Sequence, residues 1–157
     1  ELDEYLDAMI ELWGDAEWSA YEGETVSFGP MHGYPKPIQR PHPPIVVTGN
    51  SPAALGRAAR CGQGWAGVAL DLDGVKQTVD DLRARLDAAG RTSDDFVFRI
   101  GRRVSTDEST WAADVEFIDG CGAAGIDEVV LTFPMVPVHR HEPELRALAS
   151  ALGVGAS

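Results

Sequence analysis

The sequence predicts an α/β protein built on a parallel sheet, and three features support this class. Short apolar runs alternate with amphipathic helical patterns over residues 44–157, which gives four strand–helix units in succession. Turn residues separate the units, and capping residues open the helical patterns. Consecutive strand–helix units need crossover connections, so their strands run parallel. Four such units can form a small doubly wound sheet or half of a (β/α)8 barrel, and the pattern leaves both architectures open.

The amino-acid composition indicates a globular protein and limits the partners that it can bind. Hydrophobic residues make up 44% of the 157 residues and charged residues 24%, which is typical of a globular protein with one packed core. The 25 acidic and 13 basic residues give a net charge of −12, which disfavours phosphate backbones and anionic lipid. We therefore expect no nucleic-acid and no membrane partner. No apolar run of about 18 residues and no signal peptide is evident.

The first 43 residues have a different character. Apolar residues from Leu2 to Trp13 form one stripe of an amphipathic helix. Because this pattern begins at Glu1 without a Met, we expect that the chain was cut or that upstream sequence is missing. The proline-rich stretch from Tyr21 to Pro44 predicts a long irregular connection or a small hairpin. We treat residues 1–157 as one partial domain, with a helix at 1–13, a connection at 14–43 and four units at 44–157.

The four units are placed by apolar runs and helix caps. Predicted strands lie at residues 45–47, 65–70, 96–104 and 126–133, and the first of them is expected to be buried on both faces. Predicted helix starts are the cap Ser51 with Pro52 behind it, the cap Asp73, the capping-box pair Ser105 and Glu108, and Pro143. Predicted helix ends are Gly62, Gly90 and either Gly122 or Gly125.

One segment carries a family resemblance. Residues 35–55 read PKPIQRPHPPIVVTGNSPAAL, and Arg57-Ala58-Ala59-Arg60 and Gly62-Gln63-Gly64-Trp65 follow. Together they resemble the luciferase-like monooxygenase superfamily, most closely its coenzyme F420-dependent oxidoreductases. The resemblance implies the C-terminal half of a (β/α)8 TIM barrel, strands five to eight. It also implies a cytoplasmic oxidoreductase that uses F420, or alternatively FMN, on a small organic substrate.

The resemblance places the cofactor phosphate at the loop formed by Thr48, Gly49, Asn50 and Ser51. This loop joins a predicted strand to a helix, where unpaired N–H groups and the helix dipole favour an anion. Glycine there allows a phosphate to approach closely. The alternative interpretation is an ordinary turn that ends in a Ser-Pro cap.

Other candidate residues have plainer interpretations. Gly64 and Trp65 predict a tight turn and a core aromatic side chain. Arg102 and Arg103 end a strand, where they can meet an acidic cofactor or simply face solvent. His139 and His141 have spacing that can chelate a metal on a strand, yet no further ligand pattern supports a metal site.

The two cysteines, Cys61 and Cys121, are too few for a disulfide framework. We expect both as small buried side chains in a reducing compartment. No residue offers a convincing general base, which fits chemistry carried by a cofactor ring.

Three functional hypotheses remain at this point. The first is part of a flavin- or deazaflavin-dependent oxidoreductase. The second is a non-catalytic half-barrel that assembles with a separate N-terminal half or as a homodimer, because an open half exposes strand edges and an inner face. The third is a small flavodoxin-like binding domain with a complete sheet.

Overall fold

The computed structural model describes residues 1–134 and 138–153, and the side chains of residues 138–141 lie outside this description. The chain forms two compact units, Glu1–Ile45 and Val46–Ser157. The first unit combines a helix with a hairpin. The second contains the four predicted strand–helix units.

The first unit begins with helix α1 (Leu2–Trp13), as predicted. Strands β1 (Ser19–Glu22) and β2 (Ser27–Met31) then pair antiparallel, so the proline-rich connection contains the small hairpin. Ser19 is almost fully buried, and its hydroxyl group donates to the carbonyl oxygen of Glu11 at 3.1 Å. This bond fixes the start of the hairpin against the end of α1.

Glu4 of α1 holds the turn of the hairpin. Its carboxylate accepts the backbone N–H groups of Thr25 at 2.7 Å and Val26 at 3.2 Å. These two hydrogen bonds favour the ionised form and lower the pKa of Glu4 below its ordinary value. One exposed carboxylate therefore connects two elements that are distant in sequence.

The second unit alternates strands and helices without interruption. Its elements in chain order are β3 (Val46–Thr48), α2 (Pro52–Cys61), β4 (Gly64–Val68), α3 (Leu72–Ala88), β5 (Val97–Arg103), α4 (Trp111–Ala124), β6 (Glu128–Thr132) and α5 (Val138–Ala151). The four strands are parallel and lie in the order β3-β4-β5-β6. This order has no reversal point, which a doubly wound sheet requires. The strand order of a doubly wound sheet is therefore excluded for these four strands.

The starts of two helices, α3 and α4, have caps that differ from the predictions. Asp71, not Asp73, caps α3, because its carboxylate accepts the N–H of Gly74 at 2.8 Å. Asp107 caps a single 3₁₀ turn (Glu108–Thr110), so the expected capping box does not form and α4 starts at Trp111. Each of these sites offers competing polar residues, and side-chain geometry selects the cap.

Helix α5 also starts earlier than predicted. It begins at Val138 and includes Pro143, which the sequence placed in the first turn because proline lacks an N–H donor. Two other predictions are confirmed: Ser51 caps α2 with Pro52 behind it, and Gly125 ends α4 in the left-handed conformation.

Only one face of the sheet is covered by helices of this unit. Alternate strand residues are buried beneath the helices, among them Val47, Trp65, Phe98 and Ile100. Residues of opposite parity face the other way, and Val46, Val68 and Val130 are 38%, 46% and 44% exposed. The prediction that the first strand is buried on both faces is therefore wrong. We call the side that carries these valines the open face of the sheet.

In the part of the chain that the structure describes, none of the helices has both the length and the apolar character needed to cross a membrane.

The Glu4 contact gives a pH-dependence prediction. Because folding lowers its pKa, its stabilising effect is complete above the pKa of the unfolded chain and is lost as pH falls through the folded pKa. We expect Glu4→Gln to reduce the amide-exchange protection of Thr25 and Val26 at pH 7. In this variant, the protection of these two amides should also change less as the pH is lowered. Glu11→Gln, on the same exposed helix, serves as the control. Equal protection in wild type and Glu4→Gln at pH 7 would contradict the prediction.

Candidate functional site

The loop after β3 lies at the carboxyl end of the parallel strands, the edge at which α/β proteins bind ligands. Thr48 is the last residue of β3 and is exposed on the open face. It lies in one row across the sheet with Ala66, Arg99 and Glu128. The loop therefore connects directly to the open face.

Gly49 has a backbone conformation that requires glycine. Its φ is +118°, which side chains of L-residues rarely tolerate. Its N–H donates to the carbonyl oxygen of Ala66 at 3.1 Å, and its own carbonyl oxygen accepts the indole N–H of Trp65 at 2.8 Å. Both polar backbone groups of Gly49 are thus held by β4.

Asn50 is held by the same strand. Its side-chain amide donates to the carbonyl oxygen of Val68 at 2.7 Å and accepts the N–H of Val68 at 3.3 Å. The side chain of Asn50 is therefore engaged in shaping the loop, and its backbone N–H is the group left for a ligand.

Ser51 has the capping role that the sequence predicts. Its hydroxyl oxygen accepts the N–H of Ala54 at 3.2 Å, and its carbonyl oxygen accepts the N–H of Leu55 at 2.9 Å. Among the described residues, the N–H groups of Asn50, Ser51 and Ala53 make no hydrogen bond. These three donors at a helix N-terminus can receive an anionic group.

Arg102 is not the solvated strand end that the sequence favoured. Its guanidinium donates to Asp114 of α4 at 2.9 and 2.7 Å and lies 4.5 Å from the ring centroid of Phe117. Asp114 is 4% exposed, so the pair stabilises the contact between β5 and α4. Arg102 lies on the covered face because its position has the parity of Ile100.

Arg103 has the opposite orientation. It is exposed at the carboxyl end of β5, beside Thr132 of β6, on the open face. Within residues 1–134 and 142–153 its guanidinium forms no ion pair or hydrogen bond. It is therefore a cation available at the same edge of the sheet as the loop.

Sequence reasoning missed two features of this region. Arg99 and Glu128 form an ion pair on the open face, with a 2.6 Å hydrogen bond from Nε to Oε2. Opposite charges at matching positions of adjacent strands were the available signal. Ala69, just after β4, adopts φ +52°, a left-handed conformation that no nearby residue type indicated.

Trp65 is fully buried, which confirms the prediction of a core aromatic residue. Cys121 is also buried, and burial raises the pKa of its thiol. Cys61 is only half-buried, so the prediction for it is wrong: it lies in the last turn of α2, where its thiol contacts the carbonyl oxygen of Arg57 at 3.4 Å.

The metal interpretation concerned His139 and His141. Their side chains lie outside the described residues, although the backbone of both belongs to α5 rather than to a loop. Among the residues described, no group of three or more His, Cys, Asp or Glu side chains could hold a metal.

The four parallel strands in sequential order and the alternating helices define an α/β protein. The family model for luciferase-like monooxygenases matches residues 1–151. The chain belongs to the luciferase-like monooxygenase family.

Individual relatives are similar over part of their length. A Mycobacterium tuberculosis protein of uncharacterised function is 40% identical over 91 residues, which cover 57% of this chain and 31% of that protein. An FMNH2-dependent dimethylsulfone monooxygenase of Pseudomonas putida is 34% identical over 88 residues, with coverage of 56% and 24%.

Among solved structures, an F420-dependent secondary alcohol dehydrogenase with an F420–acetone adduct superimposes with a TM-score of 0.76. The identity is 15%, and the match covers 95% of this chain and 60% of the other. This likeness concerns the fold alone. In each of these matches, the chain spans less than two thirds of its relative.

The Arg102–Asp114 pair gives a stability prediction. Asp114→Ala leaves a half-buried guanidinium without its partner, and we expect the free energy of unfolding to fall by about 1–3 kcal/mol. Asp119→Ala, an exposed position on the same helix, is expected to change it by less than about 0.5 kcal/mol. Urea denaturation followed by tryptophan fluorescence measures both. Equal effects of the two substitutions would show that the ion pair is energetically unimportant.

Proposed function

We propose that the chain forms part of an oxidoreductase that uses coenzyme F420 to transfer hydride to or from an organic substrate. FMN is the alternative cofactor, with oxygen activation as the corresponding reaction. Family membership supports the oxidoreductase class, and the names of two relatives support a deazaflavin or flavin. We favour F420 because residues 35–55 resemble that branch of the family. The observation that carries the proposal is the loop with three unpaired N–H groups.

The loop has the chemistry that a cofactor phosphate needs. The N–H groups of Asn50, Ser51 and Ala53 are donors, and the N-terminus of α2 contributes a partial positive charge. Gly49 has no Cβ to obstruct an approaching group, and a Cβ built there would meet only Ala54 at 3.6 Å. We assign Thr48, Gly49, Asn50 and Ser51 to the phosphate contact.

Arg103 adds a charge at the same edge. It lies on the open face at the end of β5, where it has no partner among the described residues. Loops that follow the last two strands of a barrel frequently bind phosphate. We assign Arg103 to an acidic group of the cofactor or substrate.

We further propose that β3 to β6 are strands five to eight of a (β/α)8 barrel and that both units belong to this one domain. Sequential strand order and helices on one face support this assignment. In a closed barrel the open face becomes the interior, and two edge strands gain partners. The partner is an N-terminal half with strands one to four, or else a second copy of this chain.

When bound, the deazaflavin or flavin ring supplies the hydride or oxygen chemistry. The residues of this chain bind its phosphate and fix the position of the ring relative to the sheet edge. Free cysteines at 61 and 121 support a reducing, cytoplasmic location.

The exposed valines of the open face favour a second candidate, a non-catalytic half-barrel that acts through its partner. Val46, Val68 and Val130 lie on three different strands of this face. In that case the loop at Gly49 is an ordinary turn. Cofactor binding by this chain distinguishes the two candidates.

Fluorescence titration of the full chain with F420 and separately with FMN tests the cofactor proposal. We expect saturable F420 binding with a Kd on the order of 1–10 μM, and weaker FMN binding. Gly49→Ala forces an L-residue to φ +118° and should weaken binding at least about tenfold. Gly90→Ala is the matched control, because Gly90 also has a positive φ but lies in the turn after α3.

Binding of FMN without binding of F420 would change the proposed cofactor from F420 to FMN. Binding of neither cofactor to a folded sample would reject this chain as a cofactor-binding unit and leave the non-catalytic half-barrel.

Sedimentation tests the open face. Without an N-terminal half, the chain is expected to self-associate through its exposed valines. The double variant Val68→Asp and Val130→Asp should then sediment as a monomer. Leu145→Asp, at an equally exposed apolar residue on α5, should leave association unchanged. A monomeric wild-type chain at roughly 100 μM would exclude the second copy as partner.

A further inference from the structure

Trp65 connects the core to the candidate cofactor loop. It lies on the covered face of β4, between Val47 and Phe98, and is 0% exposed. Its indole Nε1–H donates to the carbonyl oxygen of Gly49 at 2.8 Å. A core side chain thus reaches the backbone of the loop.

Gly67 leaves the space that the indole of Trp65 needs to contact Gly49. It lies two residues after Trp65 on the same face, and a Cβ built on Gly67 would overlap Cη2 and Cζ2 of the indole. The indole therefore lies over the Cα atom of Gly67 and extends along β4 toward the carboxyl edge. A side chain at position 67 would block this path.

The hydrogen bond from Trp65 fixes a peptide plane. In a trans peptide the carbonyl oxygen and the following N–H point in opposite directions. Because the carbonyl group of Gly49 points to the covered side, the N–H of Asn50 points away from it. Glycine at position 49 imposes little steric preference on this peptide, so an external hydrogen bond decides its orientation.

The other contacts of the loop restrain where the loop lies, but they do not set the orientation of the Gly49–Asn50 peptide. The N–H of Gly49 is bound by Ala66, and the side chain of Asn50 is bound at both ends of Val68. These bonds hold the loop to β4. None of them involves either polar atom of the peptide that joins Gly49 to Asn50.

We propose that Trp65 is a positioning residue for the cofactor phosphate: its indole N–H orients the Gly49–Asn50 peptide so that the N–H of Asn50 points to the ligand. Gly67 is also required for this arrangement, because a Cβ at position 67 would overlap the indole ring. The inference rests on the proposed function, in which the loop binds the phosphate.

The test compares ligands that differ by the phosphate. Wild type and Trp65→Phe are titrated with FMN and riboflavin, and with F420 and the phosphate-free deazaflavin nucleoside. Phenylalanine keeps an apolar ring but lacks the N–H donor. We expect roughly tenfold weaker binding of the phosphorylated ligands, the effect of one hydrogen bond to a charged group, and less than about twofold change for the others.

Trp111→Phe is the matched control. Trp111 is also buried, and its Nε1–H donates to the carbonyl oxygen of Ser105 at 2.9 Å. This substitution removes an equivalent indole hydrogen bond far along the sequence from the loop. It should lower thermal stability without changing the preference for phosphorylated ligands.

A second variant guards against a folding defect. Benzothienylalanine at position 65 keeps the bicyclic shape and replaces the N–H by sulfur, so it should reproduce the loss seen with phenylalanine. Retention of the phosphate preference in both variants would overturn the role of Trp65 and leave the proposed site intact. Absence of a phosphate preference in the wild type would reject the proposed site itself.

Discussion

Helices on only one side of a parallel sheet are the constraint on which the rest of the second unit depends. Three sequential crossovers, right-handed as a rule for parallel strands, bring α2, α3 and α4 onto the same side, since the strand order never reverses. Helix α5 follows β6 and packs beside α4. Each strand then alternates between a residue that packs against a helix and a residue on the open face. Residues of opposite parity on the same strands are thereby divided between the packed core and the open face.

Arg102 and Arg103 illustrate this division. They are neighbours in sequence, yet Arg102 is bound by Asp114 beneath α4, whereas Arg103 is exposed with no partner among the residues that the structure describes. A guanidinium on the covered face requires a compensating charge, because an unpaired buried cation is costly. The same residue type on the open face carries no such requirement and is available for a ligand.

Local chemistry made much of the fold predictable. The Ser51-Pro52 helix start follows directly from helix capping, and the end of α4 was limited to Gly122 or Gly125. The apolar run around Val47 indicated a strand, and the parallel order follows from the alternation of strands and helices. The start of α3 was not predictable, since Asp71 and Asp73 can both cap a helix and only side-chain geometry separates them.

The position of the candidate loop was predictable from sequence, but its internal contacts were not. The pattern placed Thr48 to Ser51 at a strand–helix junction, and the family resemblance made this loop the candidate for a phosphate. The partners of the loop lie 16–18 residues away on β4. Trp65 was predicted as a core side chain and is buried, but burial alone does not indicate where an indole N–H points. Contacts between strands depend on register, and register depends on the whole sheet.

The charges of the open face determine what closure of the proposed barrel would require. On its four strands this face carries Arg99, Glu128 and Arg103, and the first two neutralise each other. A paired guanidinium and carboxylate can be enclosed when a barrel closes, because their mutual hydrogen bonds offset part of the desolvation cost. Arg103 has no such partner among the described residues, and enclosing it would leave one uncompensated positive charge at the carboxyl edge. In the proposed function, an anionic ligand at that edge would supply the missing charge, so closure of the proposed barrel and binding of a phosphate-bearing cofactor would stabilise each other.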